Sequence, residues 1–117
     1  MRKVYRYKNL SYTLADDEIA NFSVQFISDG TTGQTVINVP GSTDPSILDS
    51  GSTPIGNGAS LRSEDTIVVS DVANIIPEED EVRIRYFING QLVQEHCNQV
   101  SESDRPMIIL TIQFPKP

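Results

Sequence analysis

Two adjacent residues, His96 and Cys97, are the chain's only imidazole and only thiol. A nucleophilic thiol needs a base within hydrogen-bond reach, and histidine is the usual one. Neighbouring residues on a strand point to opposite faces, so these two cannot serve each other. We expect a buried Cys97 behind a more exposed His96. Without further His or Cys to complete a zinc site, and without a Gly-x-Ser-x-Gly turn, we expect no catalytic residue, no cofactor and no enzyme activity.

Two acidic segments carry the residue types that bind hard cations. Carboxylate oxygens are the ligands that Ca²⁺ prefers, about six to eight around each ion. Both segments lie in predicted interstrand loops, which can meet at one end of a β-sandwich. Neither has the spacing of an EF-hand loop. A calcium-dependent binding module is therefore our alternative hypothesis, and its candidate ligands are Asp16, Asp17, Glu78, Glu79 and Asp80.

The segment 2–8 alternates basic side chains with aromatic and aliphatic ones. It holds four of the nine lysines and arginines, which leaves five against sixteen acidic side chains in residues 9–117. This pattern predicts an edge strand whose charges discourage aggregation while its tyrosines pack inward. The same edge could pair with another chain through backbone hydrogen bonds, either a partner protein or a neighbouring subunit. The candidate partner-binding residues are Arg2, Val4, Tyr5, Arg6, Tyr7 and Lys8.

The charge of the chain argues against nucleic acid as a partner. Alternating aromatic and basic residues could hold single-stranded bases, but the formal charge is −7 over 117 residues, and the acidic remainder would repel phosphates. No segment approaches the roughly 20 apolar residues that cross a bilayer, so we expect no membrane insertion. The single cysteine excludes an internal disulfide and leaves the cellular compartment open.

The clearest structural signal lies at residues 81–97, where Asn89-Gly90 separates two strand-like runs. A type I′ turn needs positive φ at both central positions, which Asn and Gly tolerate best. We therefore predict a two-stranded hairpin. Alternation in its first strand predicts one face against a core, and the core-facing residues are Val82, Ile84, Tyr86 and Ile88.

Other strand-like segments are separated by turn residues. We predict strands at 19–27, 34–39, 66–69 and 107–114, with 34–39 returning beside 19–27 as a hairpin. Residues 107–114 are apolar on both faces in their first half, which predicts a central position in a sheet. Of the 25 residues in 40–64, 15 are Gly, Pro, Ser or Thr. They predict a long, partly ordered loop with a short edge strand near residues 59–61.

Seven or eight strands without a clear helix predict a single all-β domain over residues 1–117. We expect an antiparallel two-layer β-sandwich of the immunoglobulin-like type, with a jelly roll or a small barrel as alternatives. The segment from Ile76-Pro77 through Glu81 to Asn89-Gly90 resembles the loop and strand before the last hairpin of fibronectin type III modules. It lacks the tyrosine usual in that family where Val82 stands, and the resemblance implies no functional residue. The main hypothesis is a non-enzymatic protein-interaction or structural module, which could be one subunit of a larger assembly.

Overall fold

The computed structural model of the chain describes residues 2–27, 30–40, 44–74 and 80–117. In these ranges the chain forms nine strands and one helical turn. The strands are β1 (Val4–Ser11), β2 (Ile19–Phe26), β3 (Thr31–Asn38), β4 (Ser46–Leu48), β5 (Gly51–Asn57), β6 (Thr66–Asn74), β7 (Glu81–Ile88), β8 (Gln91–Gln99) and β9 (Met107–Gln113). The helical turn α1 (Gly58–Leu61) lies between β5 and β6.

The strands form two sheets that pack face to face, which confirms the predicted all-β sandwich. Sheet A has the strand order β1-β9-β6-β3-β4, and sheet B has the order β5-β2-β7-β8. The described strands do not close into a barrel. All pairs are antiparallel except β1 with β9, which is parallel. That exception to the expected pairing arises because nearly the whole chain separates the two strands, so no hairpin sets their relative direction.

The core lies between the two sheets. Every second residue of a strand points into it. The four residues predicted to face the core from β7 are all fully buried, as expected. Residues Ile108, Leu110 and Ile112 approach from β9, which lies between β1 and β6 as its two-faced apolar pattern predicted. The sheets are thus held together mainly by apolar burial.

A chain of hydroxyl groups also crosses this core. The Tyr86 hydroxyl of sheet B donates a hydrogen bond to Ser70 Oγ of sheet A at 2.8 Å. Ser70 Oγ in turn lies 2.8 Å from Thr35 Oγ1. All three residues are fully buried, and burial raises the pKa of the Tyr86 phenol, so it stays protonated and able to donate. A buried hydroxyl is costly unless it is hydrogen-bonded, and this arrangement provides the bonds.

The predicted hairpin between residues 19–27 and 34–39 does not form. β2 belongs to sheet B and β3 to sheet A, so the connection between them passes from one sheet to the other. β2 already has two hydrogen-bonded neighbours, β5 and β7, and has no free edge for β3. Turn residues between two strands indicate a change of direction but do not decide which strand becomes the neighbour.

The segment predicted as a long loop at 40–64 is largely regular. It contains β4, β5 and α1 within the part that the structure describes, residue 40 and residues 44–64. Pro54 is tolerated in β5 because β5 is an edge strand. The predicted strand at 59–61 is instead helical, because the Asn57 side chain accepts a hydrogen bond from Ser60 N at 2.8 Å and caps the turn.

Candidate functional site

A β-bulge in the 81–99 hairpin determines the direction of the chain's two most reactive side chains. Beside the turn, Phe87 pairs with Leu92, whereas the next residue back, Tyr86, pairs with Gln94. Val93 is therefore an extra residue on β8. Because of this extra residue, each later side chain of β8 lies on the opposite face of the sheet. A hairpin without the bulge would place it on the other side.

As a result, His96 faces the core and Cys97 faces outward. His96 pairs with Ile84 of the buried face and is fully buried, while Cys97 pairs with Arg83 and is exposed. The expected exposure of the two residues was wrong, because the extra residue Val93 directs His96 to the core and Cys97 to the surface. The expectation that they point to opposite faces is confirmed.

The His96 ring joins the edge of sheet B to the edge of sheet A. Its Nδ1 lies 2.7 Å from the Tyr7 hydroxyl of β1, and its Nε2 lies 2.7 Å from Asn98 Oδ1. The Tyr5 ring packs against the imidazole, with ring centroids 4.6 Å apart. We call these four residues, Tyr5, Tyr7, His96 and Asn98, the Tyr–His seam. The seam holds the side chains of β1 onto sheet B.

The hydrogen bonds of the seam assign one neutral tautomer to the histidine. Asn98 Nδ2 donates to Gln99 O at 2.8 Å and to Ser103 O at 3.0 Å, so Asn98 Oδ1 is an acceptor and His96 Nε2 donates to it. His96 Nδ1 then accepts from the Tyr7 hydroxyl. Burial lowers the pKa of His96 and raises that of Tyr7, so both groups are uncharged at neutral pH. Both ring nitrogens of His96 therefore have hydrogen-bond partners within the protein.

The outer face of sheet B is occupied by a network of ion pairs. Glu95 binds Arg83 at 2.6 Å and Arg85 at 2.7 Å, and its pKa is lowered mainly by the Arg85 hydrogen bond. Glu81 binds Arg83 at 3.0 Å and accepts a hydrogen bond from Cys97 Sγ at 3.4 Å. Burial and then Glu81 raise the pKa of the Cys97 thiol. The thiol is therefore a poor nucleophile at neutral pH.

The candidate calcium ligands that the structure describes, Asp16, Asp17 and Asp80, lie at opposite ends of sheet B. Asp16 and Asp17 precede β2, whereas Asp80 precedes β7, which runs antiparallel to β2. Eight residues of extended strand separate these ends by about 26 Å. The convergence of the two loops on which the calcium hypothesis depends does not occur for these three carboxylates.

The carboxylate of Asp16 already has a basic partner. Asp16 forms an ion pair with Arg62 at 2.6 Å. Glu78 and Glu79 lie outside the described residues. Within the described ranges, no three His, Cys, Asp or Glu side chains come close enough together to hold a metal ion.

The six candidate partner-binding residues lie on or next to β1, which is an edge strand as predicted. Tyr5 and Tyr7 point inward to the seam, as predicted. Val4, Arg6 and Lys8 point outward and are exposed. The tyrosine rings are thus not available as a platform on which bases could stack. Preceding the strand, Arg2 binds Asp71 at 2.5 Å.

The backbone of β1 also has two sides. Met107 N donates to Lys3 O at 2.8 Å, and alternate residues of a parallel strand turn their backbone groups to the same neighbour. Tyr5 and Tyr7 therefore face β9 with their N–H and C=O groups, while Val4 and Arg6 direct theirs away from the sheet. The regular edge ends at a bulge near Asn9, whose φ is 62°. Residues 4–8 thus form a short, straight, basic edge.

The outer face of sheet A is unlike that of sheet B because many of its side chains are apolar. Seven of them come from five strands: Val4, Val36, Leu48, Ile67, Val69, Met107 and Ile109. Leu48 is 75% exposed, Val4 43% and Val36 36%. A soluble sheet face exposed to water is usually polar, and a contiguous apolar face indicates a contact surface.

Two open surface depressions lie among the described residues. One, about 390 Å³, lies at one end of sheet A beside Arg2, Asp71 and Arg105. The other, about 240 Å³, lies beside Arg62, Glu64 and Asp65.

No helix in the described ranges has the length and apolar character needed to span a membrane. No protein-family model matches the chain, and no curated protein has significant sequence similarity to it.

Proposed function

We propose that this protein is a non-enzymatic interaction module that binds an extended acidic segment of a partner protein along the free edge of β1. The observation that carries the proposal is the combination of outward-facing backbone groups at Val4 and Arg6 with the basic side chains of residues 2–8. Addition of a strand to such an edge uses backbone hydrogen bonds for affinity. The flanking charges then select the sequence of the added strand.

Self-pairing through this edge is disfavoured. If two copies of β1 paired antiparallel, the basic residues Arg6 and Lys8 of one copy would lie opposite basic residues of the other. Like charges directly opposite one another destabilise a sheet. An acidic strand would instead gain attraction at the same positions. The basic residues therefore protect the edge against aggregation and at the same time favour an acidic partner.

The expected affinity is modest. Two outward residues offer four backbone groups, and each hydrogen bond contributes about 1 kcal/mol net. A sum of about 4 kcal/mol corresponds to a dissociation constant of about 1 mM for a short peptide. The bulge near Asn9 prevents a longer regular ladder. Measurement by NMR titration suits this range better than calorimetry.

The test uses two synthetic peptides with blocked ends, one alternating glutamate with valine and one alternating lysine with valine. We expect only the acidic peptide to shift the backbone amide resonances of Val4 and Arg6. Val4→Pro removes an outward N–H at an edge position where proline is tolerated, so it should abolish the shift of the Arg6 amide while the fold remains. Proline at Tyr7 would be unsuitable because that N–H faces β9.

The charge contribution is tested by Arg6→Glu, with Lys116→Glu as the control. Both variants change the net charge by the same amount, but Lys116 lies outside every strand and is exposed. We expect weaker acidic-peptide binding only for Arg6→Glu. Equal binding of both peptides, or shifts centred on another surface, would contradict the proposal.

A further inference from the structure

We infer that the outer face of sheet A is the interface of a homodimer, in which two copies pack this face together around a two-fold axis parallel to β6. This contact and the proposed strand addition share residues of β1 but use different groups: the dimer uses the outward side chains, whereas strand addition uses the backbone groups, which point sideways from the sheet. The inference rests on the arrangement of side chains across the five strands.

The outward side chains form three rows that run perpendicular to the strands. The first row contains Arg6, Ile109, Val69, Val36 and Ser46. The second contains Val4, Met107, Asp71, Gln34 and Leu48. The third contains Thr111, Ile67 and Asn38. Lys8 follows Tyr7 at the β1 end of this row, and Asp44 lies two residues before Ser46 at the β4 end.

β6 is the middle strand of sheet A, so a two-fold axis above it reverses each row onto itself. In the first row, Val69 then faces the partner's Val69, and Ile109 faces the partner's Val36. In the third row, Ile67 faces the partner's Ile67. The apolar positions in the middle of the face therefore meet apolar positions of the second copy.

The ends of the rows are complementary as well. Val4 and Leu48, two of the most exposed apolar side chains of the face, occupy opposite ends of one row and meet across the axis. Lys8 meets the partner's Asp44, which gives an opposite-charge pair at each rim. Asp71, in the middle of its row, faces the partner's Asp71, but each is already paired with its own Arg2 at 2.5 Å.

The area is adequate for a reversible dimer. Four strands about 23 Å long for seven residues and the three-residue β4, about 10 Å long, spaced about 4.8 Å apart, give a face of roughly 490 Å². Two such faces bury roughly 980 Å², which lies in the range of weak, reversible contacts. We therefore expect a dimer that dissociates on dilution, with the two sheets packed within about 30° of alignment.

The solution mass tests this inference. We expect light scattering of the intact protein to show a mass that rises from monomer to dimer between micromolar and millimolar concentration. Val69→Lys should leave a monomer throughout. Leu48→Lys tests the same face at a side chain so exposed that folding is not at risk, and it should weaken the dimer.

The matched control is Leu92→Lys, an exposed leucine 55% accessible on the outer face of sheet B. It makes the same chemical change on the other sheet and should leave the dimer intact. A monomer at every concentration would overturn the inference. So would a dimer that survives both sheet A variants, or one that only Leu92→Lys disrupts.

The direction of the axis is tested by chemical cross-linking. Packed sheets are about 10 Å apart, too far for a disulfide, so a short bis-maleimide reagent is used with Cys97→Ser as the background. A mixture of the Val4→Cys and Leu48→Cys chains should cross-link to each other. Linkage of Val4→Cys chains mainly among themselves would refute an axis parallel to β6.

Discussion

The Ser70 hydroxyl joins Tyr86 of sheet B to Thr35 of sheet A, so its removal should lower the stability of the core. Ser70→Ala leaves the Tyr86 hydroxyl without its acceptor inside a core where Tyr86 is fully buried. An unsatisfied buried polar group costs about 1–3 kcal/mol. Thr35 also loses a bond, so we expect the free energy of unfolding to fall by about 2–4 kcal/mol.

Tyr86→Phe is expected to cost less. It removes one hydrogen bond, worth about 1 kcal/mol, and leaves Ser70 with its partner Thr35. In the Ser70→Ala background the same change should be stabilising by about 1 kcal/mol, because it removes the orphaned hydroxyl. The double variant should therefore be more stable than Ser70→Ala alone.

Urea unfolding followed by far-ultraviolet circular dichroism measures all four proteins in one double-mutant cycle. Ser46→Ala, a serine on an exposed strand position, is the control and should change stability by less than about 0.5 kcal/mol. If Tyr86→Phe lowers stability equally with Ser70 present or absent, the two hydroxyls do not act together and the account of the core is wrong.

Two further predictions follow from shifted pKa values. Burial lowers the pKa of His96 below its ordinary 6.5, so the unfolded chain takes up a proton at a higher pH than the folded chain does. The free energy of unfolding should therefore have its full value above pH 6.5. It should fall as the pH drops below 6.5, by at most about 1.4 kcal/mol per pH unit. Urea unfolding between pH 7.5 and 5 measures this slope, and its persistence in His96→Gln would exclude His96 as the cause. Cys97 should react with iodoacetamide more slowly than free cysteine at neutral pH, because burial and Glu81 raise the pKa of its thiol. Glu81→Gln should increase the rate of this reaction. An unchanged rate would count against this role of Glu81.

Local patterns in the sequence were sufficient for the strands with a clear alternation of apolar and polar residues, but not for β4 and β5. Alternation in residues 81–88 identified the buried face of β7, and Asn89-Gly90 identified the turn, because both depend on neighbours along the chain. The inward tyrosines of β1 followed from the same periodicity. These features need no knowledge of distant residues.

The choice of neighbours required the tertiary structure. Turn residues between β2 and β3 were compatible with a hairpin, but β5 and β7 occupy both edges of β2. The apolar residues on both faces of β9 predicted a central strand. They did not reveal that Ile109 would join apolar side chains from β3 and β6 on one outer face, because that depends on register between strands far apart in sequence.

The orientation of the candidate site depended on one residue. The types and adjacency of His96 and Cys97 established that they point to opposite faces, since side chains alternate along a strand. Which of them is buried was decided by the extra residue Val93 in β8. The bulge lies on β8, an edge strand of sheet B, and it places His96 against Tyr7 of the other sheet. Sequence alone determined the strands that have a clear alternation and missed β4 and β5. Tertiary packing determined register, and register decided which face each side chain occupies.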